Sequence, residues 1–587
     1  MSISRCSLLT AHHGDTVVAT FNLSPRLRAR IDKGAPEPKT STGSAEKPAV
    51  AVRALIHDLD LNSYLLELRF WRIDGAKGTL TIPRSLTASP QDVRRMLLDA
   101  GALLPRDAKA ATALVQAHLA QDPPQTREIT RRGGWHGDSF VTNGRTFGPQ
   151  AASLSFVGSS IFEDPSIGMR RGTFEGWRSG LTPACAASSF LTFGLSVGYA
   201  GPLLDLLGED EGAIFNFYGH SSTGKTLIAR CLHSQAGRAQ SSDLPTYGIS
   251  PRGAEELCFA RNDWAVVFDE AGRTTGTPEQ RREKVRSMAF MVPSGRGAIR
   301  SARVGRHHDL PNLTWRLFGI SSGERPLDEP GTTRFAGEQL RHIDITVPRP
   351  VYAGVFDRIE GESEDLRAEA ARLAGELEVA IAANYGLARD HYLDRLTAER
   401  ATLDADVRRI VDDFVERVGA STQPWERRLA RKFGIVLAGA VLAAEWEVAP
   451  FSPEHAHRCV LIIYRNARRA IVSVEEQTGD VLHRLREARS QGLFPLLQKG
   501  EALPEDARDV AWGFRREVDG REIVAVLPST FEDLAPSKPS AIAVLDTLLE
   551  KGTALPGPDG KRHRQIAVQG FPRTGRGRWV CLLSSKI

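Results

Sequence analysis

The sequence predicts an α/β protein built on a parallel sheet flanked by helices, with α+β material before it and helical material after. Three observations predict this. An apolar run, Ile214-Phe-Asn-Phe-Tyr, passes into a Gly-rich loop and then into a helical pattern, Leu227-Ile-Ala-Arg-Cys-Leu. A second run, Trp264-Ala-Val-Val-Phe, ends on Asp269 and Glu270. A third, Leu313-Thr-Trp-Arg-Leu-Phe-Gly-Ile, ends on Ser321 and Ser322, and Gln339-Leu-Arg-His-Ile-Asp-Ile-Thr-Val supplies one more strand. Short apolar runs that alternate with helical stretches are how a parallel sheet with crossover helices reads in one dimension.

The bulk properties set limits. With 587 residues the chain exceeds a single core, and its length suggests about three or four domains. Composition is 41% apolar and 25% charged, and no apolar run is long enough to span a bilayer. The N-terminus lacks a charged-then-apolar signal pattern, so the expectation is a cytoplasmic protein with no membrane partner. A net charge of +5 does not by itself argue for nucleic acid, and local clustering has to carry that case. Cys6, Cys185, Cys231, Cys258, Cys459 and Cys581 are scattered, with no spacing suited to zinc, and are expected as reduced, mostly buried thiols.

Taken in order, residues 1–48 read as an N-terminal tail and linker, because 33–48 lack large apolar side chains. Residues 49–180 read as an accessory α+β domain. Tyr64-Leu-Leu-Glu-Leu-Arg-Phe-Trp and Gly78-Thr-Leu-Thr-Ile-Pro are predicted as partner strands, 90–101 and 107–120 as helices, and 134–147 as a hairpin with an Asn-Gly turn. The core spans 181–350 and opens with a long apolar helix from Pro183 to Leu207, with one further strand expected near 241–250. Residues 351–472 form a helical lid region: 362–384 is a charged, Ala-rich helix and 400–472 is strongly helical. Residues 473–587 mix helices with short strands such as Ile523-Val-Ala-Val-Leu and Trp579-Val-Cys-Leu-Leu, the pattern of a winged-helix-like module.

The chemistry concentrates in the core. Gly219-His220-Ser221-Ser222-Thr223-Gly224-Lys225-Thr226 fits G-x-x-x-x-G-K-[ST] and runs on into Leu227. Such a loop turns backbone N–H groups onto phosphate oxygens, the lysine reaches the β/γ-phosphates, and the threonine hydroxyl ligates Mg²⁺. The following helix aims its positive N-terminal end at the same anion. The expected cofactors are therefore ATP and Mg²⁺. Asp269 is the expected second metal ligand, through water, and Glu270 the base that polarises an attacking water, a group that a hydrolase needs and a binding-only site does not. Ser322, or its neighbour Ser321, stands where a polar residue can sense the γ-phosphate.

Arginines complete the reading. Arg341 at the start of the last core strand, or Arg334 just before it, is the candidate finger that reaches a neighbouring subunit's nucleotide and stabilises charge in phosphoryl transfer. Arg431, in the helix opened by Arg428, is the candidate lid arginine directed at the γ-phosphate. Ser294-Gly-Arg-Gly-Ala-Ile-Arg-Ser-Ala-Arg-Val-Gly-Arg-His-His carries four arginines, two histidines and no acid between the Asp-Glu strand and the Ser-Ser strand. A hairpin there offers Arg300, Arg303, Arg306 and His307 to a phosphate backbone without reading sequence. The succession of strands is the one expected of an AAA+ core.

With these residues in place, the chain over about 50–450 resembles the domain-of-unknown-function 927 family. These are P-loop proteins of phages and mobile cassettes that look like minichromosome-maintenance-type helicases. The resemblance rests on the Gly134-Trp-His hairpin, Gly219-His-Ser-Ser-Thr-Gly-Lys-Thr, Phe268-Asp-Glu and Ser322-Gly-Glu. Gly337-Glu-Gln-Leu-Arg, Arg428-Leu-Ala-Arg-Lys-Phe and Ala438-Gly-Ala complete it. It implies a homo-hexameric ring, ATP-driven translocation on single-stranded DNA with 3′–5′ polarity, a role in replicating a mobile element, and a C-terminal winged helix. A primase or a loader is the implied protein partner. The sequence departs from the broader helicase pattern in offering serine where asparagine is usual. The competing reading is an ATP-gated switch or loader that remodels a protein partner without translocating; it has no need of the basic hairpin.

Overall fold

The computed structural model describes residues 50–158, 166–269, 277–298, 312–326, 339–349, 353–360, 363–420, 424–471, 474–508, 510–518, 520–535, 538–571 and 577–587. It divides into two units, residues 1–128 and 129–587.

In the first unit, β1 (Val50–Asp58), β2 (Ser63–Trp71) and β3 (Lys77–Pro83) form an antiparallel meander. Burial alternates strictly along β1, so one face is packed and the other is wet. Helices α1 (Pro90–Asp99) and α2 (Ala108–Leu119) supply Val93, Leu97 and Val115 to a core shared with Leu66, Leu68, Phe70 and Ile82. α1 opens on a proline, and α2 is capped by Asp107, whose carboxylate accepts the Ala110 N–H at 2.7 Å. β1 is the strand that the sequence reading leaves out, although Val50, Val52, Ala54 and Ile56 carry its period of two.

The second unit begins around β4 (Thr126–Thr130). A small antiparallel sheet follows, made of β5 (Gly134–His136), β6 (Ser139–Thr142) and β7 (Arg145–Phe147), with Asn143-Gly144 turning β6 into β7, and then β8 (Leu154–Phe156). Trp135 fastens this sheet to the core. Its backbone N–H donates to Asp263 at 3.0 Å, its indole N–H donates to the Pro202 carbonyl at 2.9 Å, and the Arg400 guanidinium lies 3.7 Å from its ring.

The long helix expected from Pro183 to Leu207 is instead three: α3 (Phe174–Ala186), α4 (Ser189–Ala200) and α5 (Leu203–Leu207). Ser188 breaks the run by capping α4, accepting the Leu191 N–H at 3.0 Å, and Pro202, with no N–H to give, ends it. Apolar content alone hid these stops.

The core sheet holds β9 (Ala213–Tyr218), β10 (Ala265–Phe268), β11 (Phe318–Gly323) and β12 (His342–Thr346) in the order β10-β11-β9-β12, every pair parallel. α6 (Lys225–Ser234), α7 (Pro251–Ala260) and α8 (Pro278–Ser294) connect them. The strand expected near 241–250 is reduced to a 3-10 turn at Ser241–Asp243 and one parallel bridge, Thr246 to Asp269. Pro245 and Gly248 break that stretch before a ladder can grow.

Helices α9 (Ser363–Ala383), α10 (Ala388–Arg417), α11 (Pro424–Glu445) and α12 (Pro453–Ile471) follow. α11 is buried over most of its length and packs against α4, α10 and α12. The C-terminal part contains α13 (Val474–Ser490), β13 (Gly513–Val518), β14 (Arg521–Val526), α14 (Pro528–Leu534), α15 (Lys538–Glu550), β15 (Ala554–Leu555), β16 (Arg564–Ile566) and β17 (Gly577–Leu583). Its sheet runs β13-β14-β17-β15, with β16 also on β17. The five described cysteines are free and buried. Among the described residues no helix is long and apolar enough to cross a membrane.

Candidate nucleotide site

β9 lies inside the sheet and ends at Tyr218, where the chain turns sharply. Gly219, Ser222 and Gly224 take φ of 147°, 60° and 92°, and Gly224 delivers the chain into α6. Backbone N–H groups at the start of α6 thus face the loop mouth. His220, Ser221 and Ser222 are exposed, while Thr223 and Leu227 are buried and root the loop. Thr223 donates its hydroxyl to the His220 carbonyl at 3.0 Å.

Lys225 curls back over this loop. Its Nζ donates to the carbonyls of Gly219 at 3.1 Å and His220 at 2.6 Å, and to the Thr223 hydroxyl at 3.3 Å. Burial lowers its pKa, and the negative charges of Glu324 and Asp269 oppose that fall.

Asp269 stands at the end of β10, with β11 between it and β9. One of its oxygens, Oδ1, accepts both the Thr226 hydroxyl at 3.2 Å and the Ser322 hydroxyl at 2.6 Å. The three strands therefore bring Thr226, Ser322 and Asp269 together at their C-terminal ends, where ligands of open α/β sheets bind. Strand alternation separates the two serines: Ser321 accepts a hydrogen bond from buried Tyr247 at 2.8 Å, and Ser322 serves the carboxylate. Ser322, expected as a γ-phosphate sensor, donates its hydroxyl to Asp269 in this structure.

A second wall was not expected from the sequence. Val355 donates its N–H to the Thr223 carbonyl at 3.0 Å, and an added Cβ on Gly354, whose φ is 61°, would fall 2.5 Å from that same oxygen. Ser188 holds the wall by donating its hydroxyl to the Val355 carbonyl at 2.6 Å, and Asp357 accepts the Ser189 N–H at 2.7 Å. The available signal was a lone glycine in an unpatterned stretch, too common to single out.

These residues fit a magnesium nucleotide. A hydroxyl and a carboxylate are hard oxygen donors, and Mg²⁺ completes its octahedron with phosphate and water oxygens rather than a protein cage.

The arginines lie elsewhere. Ile214 donates its N–H to the Arg341 carbonyl at 2.8 Å, so Arg341 sits at the N-terminal end of the β9/β12 pair, the end remote from Lys225. It is ion-paired to Glu211 and its guanidinium lies 5.7 Å from the Phe290 ring. Arg428 also reaches Glu211, at 3.6 Å, and Arg431 pairs with Glu209 at 2.5 Å. The structure brings neither Arg341 nor Arg431 to the phosphate loop of its own chain. Buried Lys432 donates to the carbonyls of Gly212 at 2.7 Å and Leu340 at 2.9 Å, joining α11 to the starts of both strands. Burial pushes Glu211 up, but the hydrogen bond and charge of Arg341, with Lys432 and Arg428, hold its carboxyl below the ordinary value.

Glu270, Arg334, Arg300, Arg303, Arg306 and His307 lie outside the described residues. The flanks of the basic segment are described, and they pair: Arg296 bridges Thr314 antiparallel, Gly297 donates its N–H to the Leu313 carbonyl at 2.9 Å, and Trp315 donates to the Gly295 carbonyl at 2.9 Å.

A parallel sheet with a phosphate-loop turn after an interior strand defines the class, an α/β protein of P-loop type. Residues 29–309 match the family model described as "Domain of unknown function (DUF927)", which bears out the resemblance over that segment. Among solved structures, one described as "SCCmec type IV Cch - active helicase" is similar at 15% identity and a TM-score of 0.53, covering 91% of this chain and 93% of that chain. The two thus share their fold over nearly their whole lengths. Another, described as "crystal structure of a putative ATPase from Cytophaga hutchinsonii ATCC 33406", is 11% identical and covers 49% of this chain and 87% of that one; its TM-score of 0.25 carries no structural argument. Comparison with curated proteins gives no match.

Proposed function

We propose that the chain is an AAA+-type ATPase that moves single-stranded DNA through a ring of identical subunits, acting as the helicase of a mobile element or phage. The observation that carries this reading is the convergence of the Thr226 and Ser322 hydroxyls on one oxygen of Asp269 beside the phosphate loop. Lys225 and the N-terminal end of α6 would hold the phosphates, Thr226 and Asp269 the Mg²⁺. Glu270, next in sequence, is the proposed base for the attacking water. The bound ion supplies charge neutralisation at the phosphates.

Arg341 and Arg431 stand at the wrong end of the sheet for their own nucleotide, which supports a role toward a neighbouring copy, as a ring requires. Arg334 remains the second candidate finger. The paired flanks of the basic segment support a projecting hairpin whose Arg300, Arg303, Arg306 and His307 grip phosphates. The helicase title of the structural relative supports the same direction, and a C-terminal winged helix and a primase or loader partner belong to this proposal.

The test is strand separation on tailed duplexes. The motor reading expects ATP-dependent unwinding that Lys225→Ala abolishes, with a preference for one tail polarity. Vigorous ATPase with no unwinding on either tail would favour the switch reading instead.

A further inference from the structure

One carboxylate at the mouth of the phosphate loop has no task in the motor described above. Glu324 follows Gly323, the last residue of β11, and β11 lies between β9, which feeds the loop, and β10, which leads to Asp269. The end of β11 is tied on both sides. The Gly323 carbonyl accepts the N–H of Gly219, the first residue of the loop, at 3.3 Å. On the other side the Ser322 hydroxyl donates to Asp269 at 2.6 Å. Glu324 therefore leaves the sheet between the loop and the carboxylate proposed for the metal, and it is exposed.

Its charge is not cancelled locally. Glu324 makes no hydrogen bond or ion pair with any described residue. Lys225 feels it: burial lowers the pKa of that lysine, and of the two charges that resist the fall Glu324 acts more strongly than Asp269. Lys225 does not pair with it, because its Nζ is engaged by the carbonyls of Gly219 and His220 and by the Thr223 hydroxyl. Arg349, whose carbonyl accepts the Gly354 N–H at 3.3 Å at the foot of the second wall, is committed to Glu532 and Asp533 at 3.4 and 3.5 Å. The mouth thus sets one ammonium against two carboxylates, Asp269 and Glu324, and Glu270 adds a third acid in the sequence.

A phosphate loop gathers N–H donors for an anion, and acids at its rim oppose that anion. Like unit charges about 6 Å apart in water repel enough to lower affinity about threefold, and a terminal phosphate carries about two such charges. The conflict is relieved when the phosphates arrive already carrying a divalent cation.

We propose that Glu324 makes entry to the phosphate loop conditional on Mg²⁺: its carboxylate turns away metal-free nucleotide and tolerates the magnesium complex. The site then fills only with the form it can hydrolyse. This deepens the nucleotide-site reading above and rests on it. Removing the charge should improve binding of the wrong form, a gain that simple damage to the site does not give.

The experiment measures equilibrium binding of a fluorescent, non-hydrolysable ATP analogue to the full chain, once in EDTA and once in excess Mg²⁺. Wild type, Glu324→Gln and Glu324→Asp are compared, and thermal melting establishes that each is folded. For Glu324→Gln the expected result is a metal-free affinity on the order of tenfold tighter, with the Mg²⁺-bound affinity changed about twofold or less. The gain should shrink as salt rises, because screening weakens the repulsion in the wild type. Glu324→Asp keeps the charge and should keep the wild-type preference. An unaltered metal-free affinity in Glu324→Gln would overturn the proposal, as would an equal gain for both forms. A fall in kcat with both affinities unchanged would also overturn it, by making Glu324 a group that acts on the attacking water. A wild type that binds neither form overturns the nucleotide site together with this inference. Binding without DNA-stimulated hydrolysis contradicts the motor alone, and the same affinities still decide the role of Glu324.

Discussion

Arg341 and Glu211 form an ion pair at the N-terminal end of the β9/β12 pair, with Arg428 on the same carboxylate and Lys432 buried beside it. Glu211 thus stays neutralised if Arg341 leaves. Both partners are partly exposed, at 23% and 34%, so the pair contributes little to folding, about 1 kcal/mol or less. Arg341→Ala should therefore leave the melting temperature nearly unchanged and lower kcat about a thousandfold. Mixing Arg341→Ala with Lys225→Ala subunits should restore part of the activity, because each supplies what the other lacks at a shared site. A mixture as inactive as its components would contradict action between copies.

Ser322→Ala removes the shorter of two hydrogen bonds to Asp269. Loss of such a support typically weakens metal binding about 10- to 100-fold. The Mg²⁺ concentration for half-maximal ATPase should rise accordingly, with metal-free nucleotide affinity unchanged. If instead ATP affinity falls at every Mg²⁺ level, Ser322 touches phosphate directly.

Gly354→Ala places a methyl group against the Thr223 carbonyl on a backbone of φ 61°. The expected loss is about 1–3 kcal/mol of stability, together with weaker nucleotide binding. Denaturant unfolding with and without nucleotide separates the two effects. A variant of wild-type affinity would show that this wall does not shape the loop.

Lys432 gives a pH dependence whose sign can be worked out. Burial pushes it down to about 8 from the ordinary 10.5, with Arg428 and Arg341 adding to the fall and Glu211 resisting it. Below pH 8 both folded and unfolded chains hold the proton, and the folded state bears the penalty of a buried charge. Between pH 8 and 10.5 the folded chain gives up its proton first, so this residue's contribution to stability rises with pH. Relative to Lys432→Met, the wild type should gain on the order of 3 kcal/mol across that window. A flat difference would mean that the amine is not penalised.

How far the sequence could be read follows from what carried each signal. The loop from Gly219 to Thr226 has fixed spacing and fixed chemistry, and the strands that end on Asp269 and Ser322 are continuous apolar runs, so these were legible. The division of labour between Ser321 and Ser322 was not, because it depends on which face of β11 meets Tyr247. The breaks at Ser188 and Pro202 were overridden by an unbroken apolar composition, and β1 was masked by its charged neighbours. The place of Arg341 is a matter of sheet direction, since a residue at the start of a parallel strand lies far from the loop at the end of its neighbour, and Arg431 follows it through its pairing with Glu209, just before β9. Glu255 shows the same limit: it supports the base of the basic segment by accepting the Ala298 N–H at 3.0 Å, a contact that no local pattern announces.

The measurement that bears most directly on the central claim is ATP hydrolysis by the purified chain with and without single-stranded DNA, beside Glu270→Gln. The account predicts hydrolysis that DNA stimulates, that Glu270→Gln abolishes, and whose stimulation weakens when Arg300, Arg303 and Arg306 become alanine. Hydrolysis indifferent to DNA, or surviving Glu270→Gln, would contradict it.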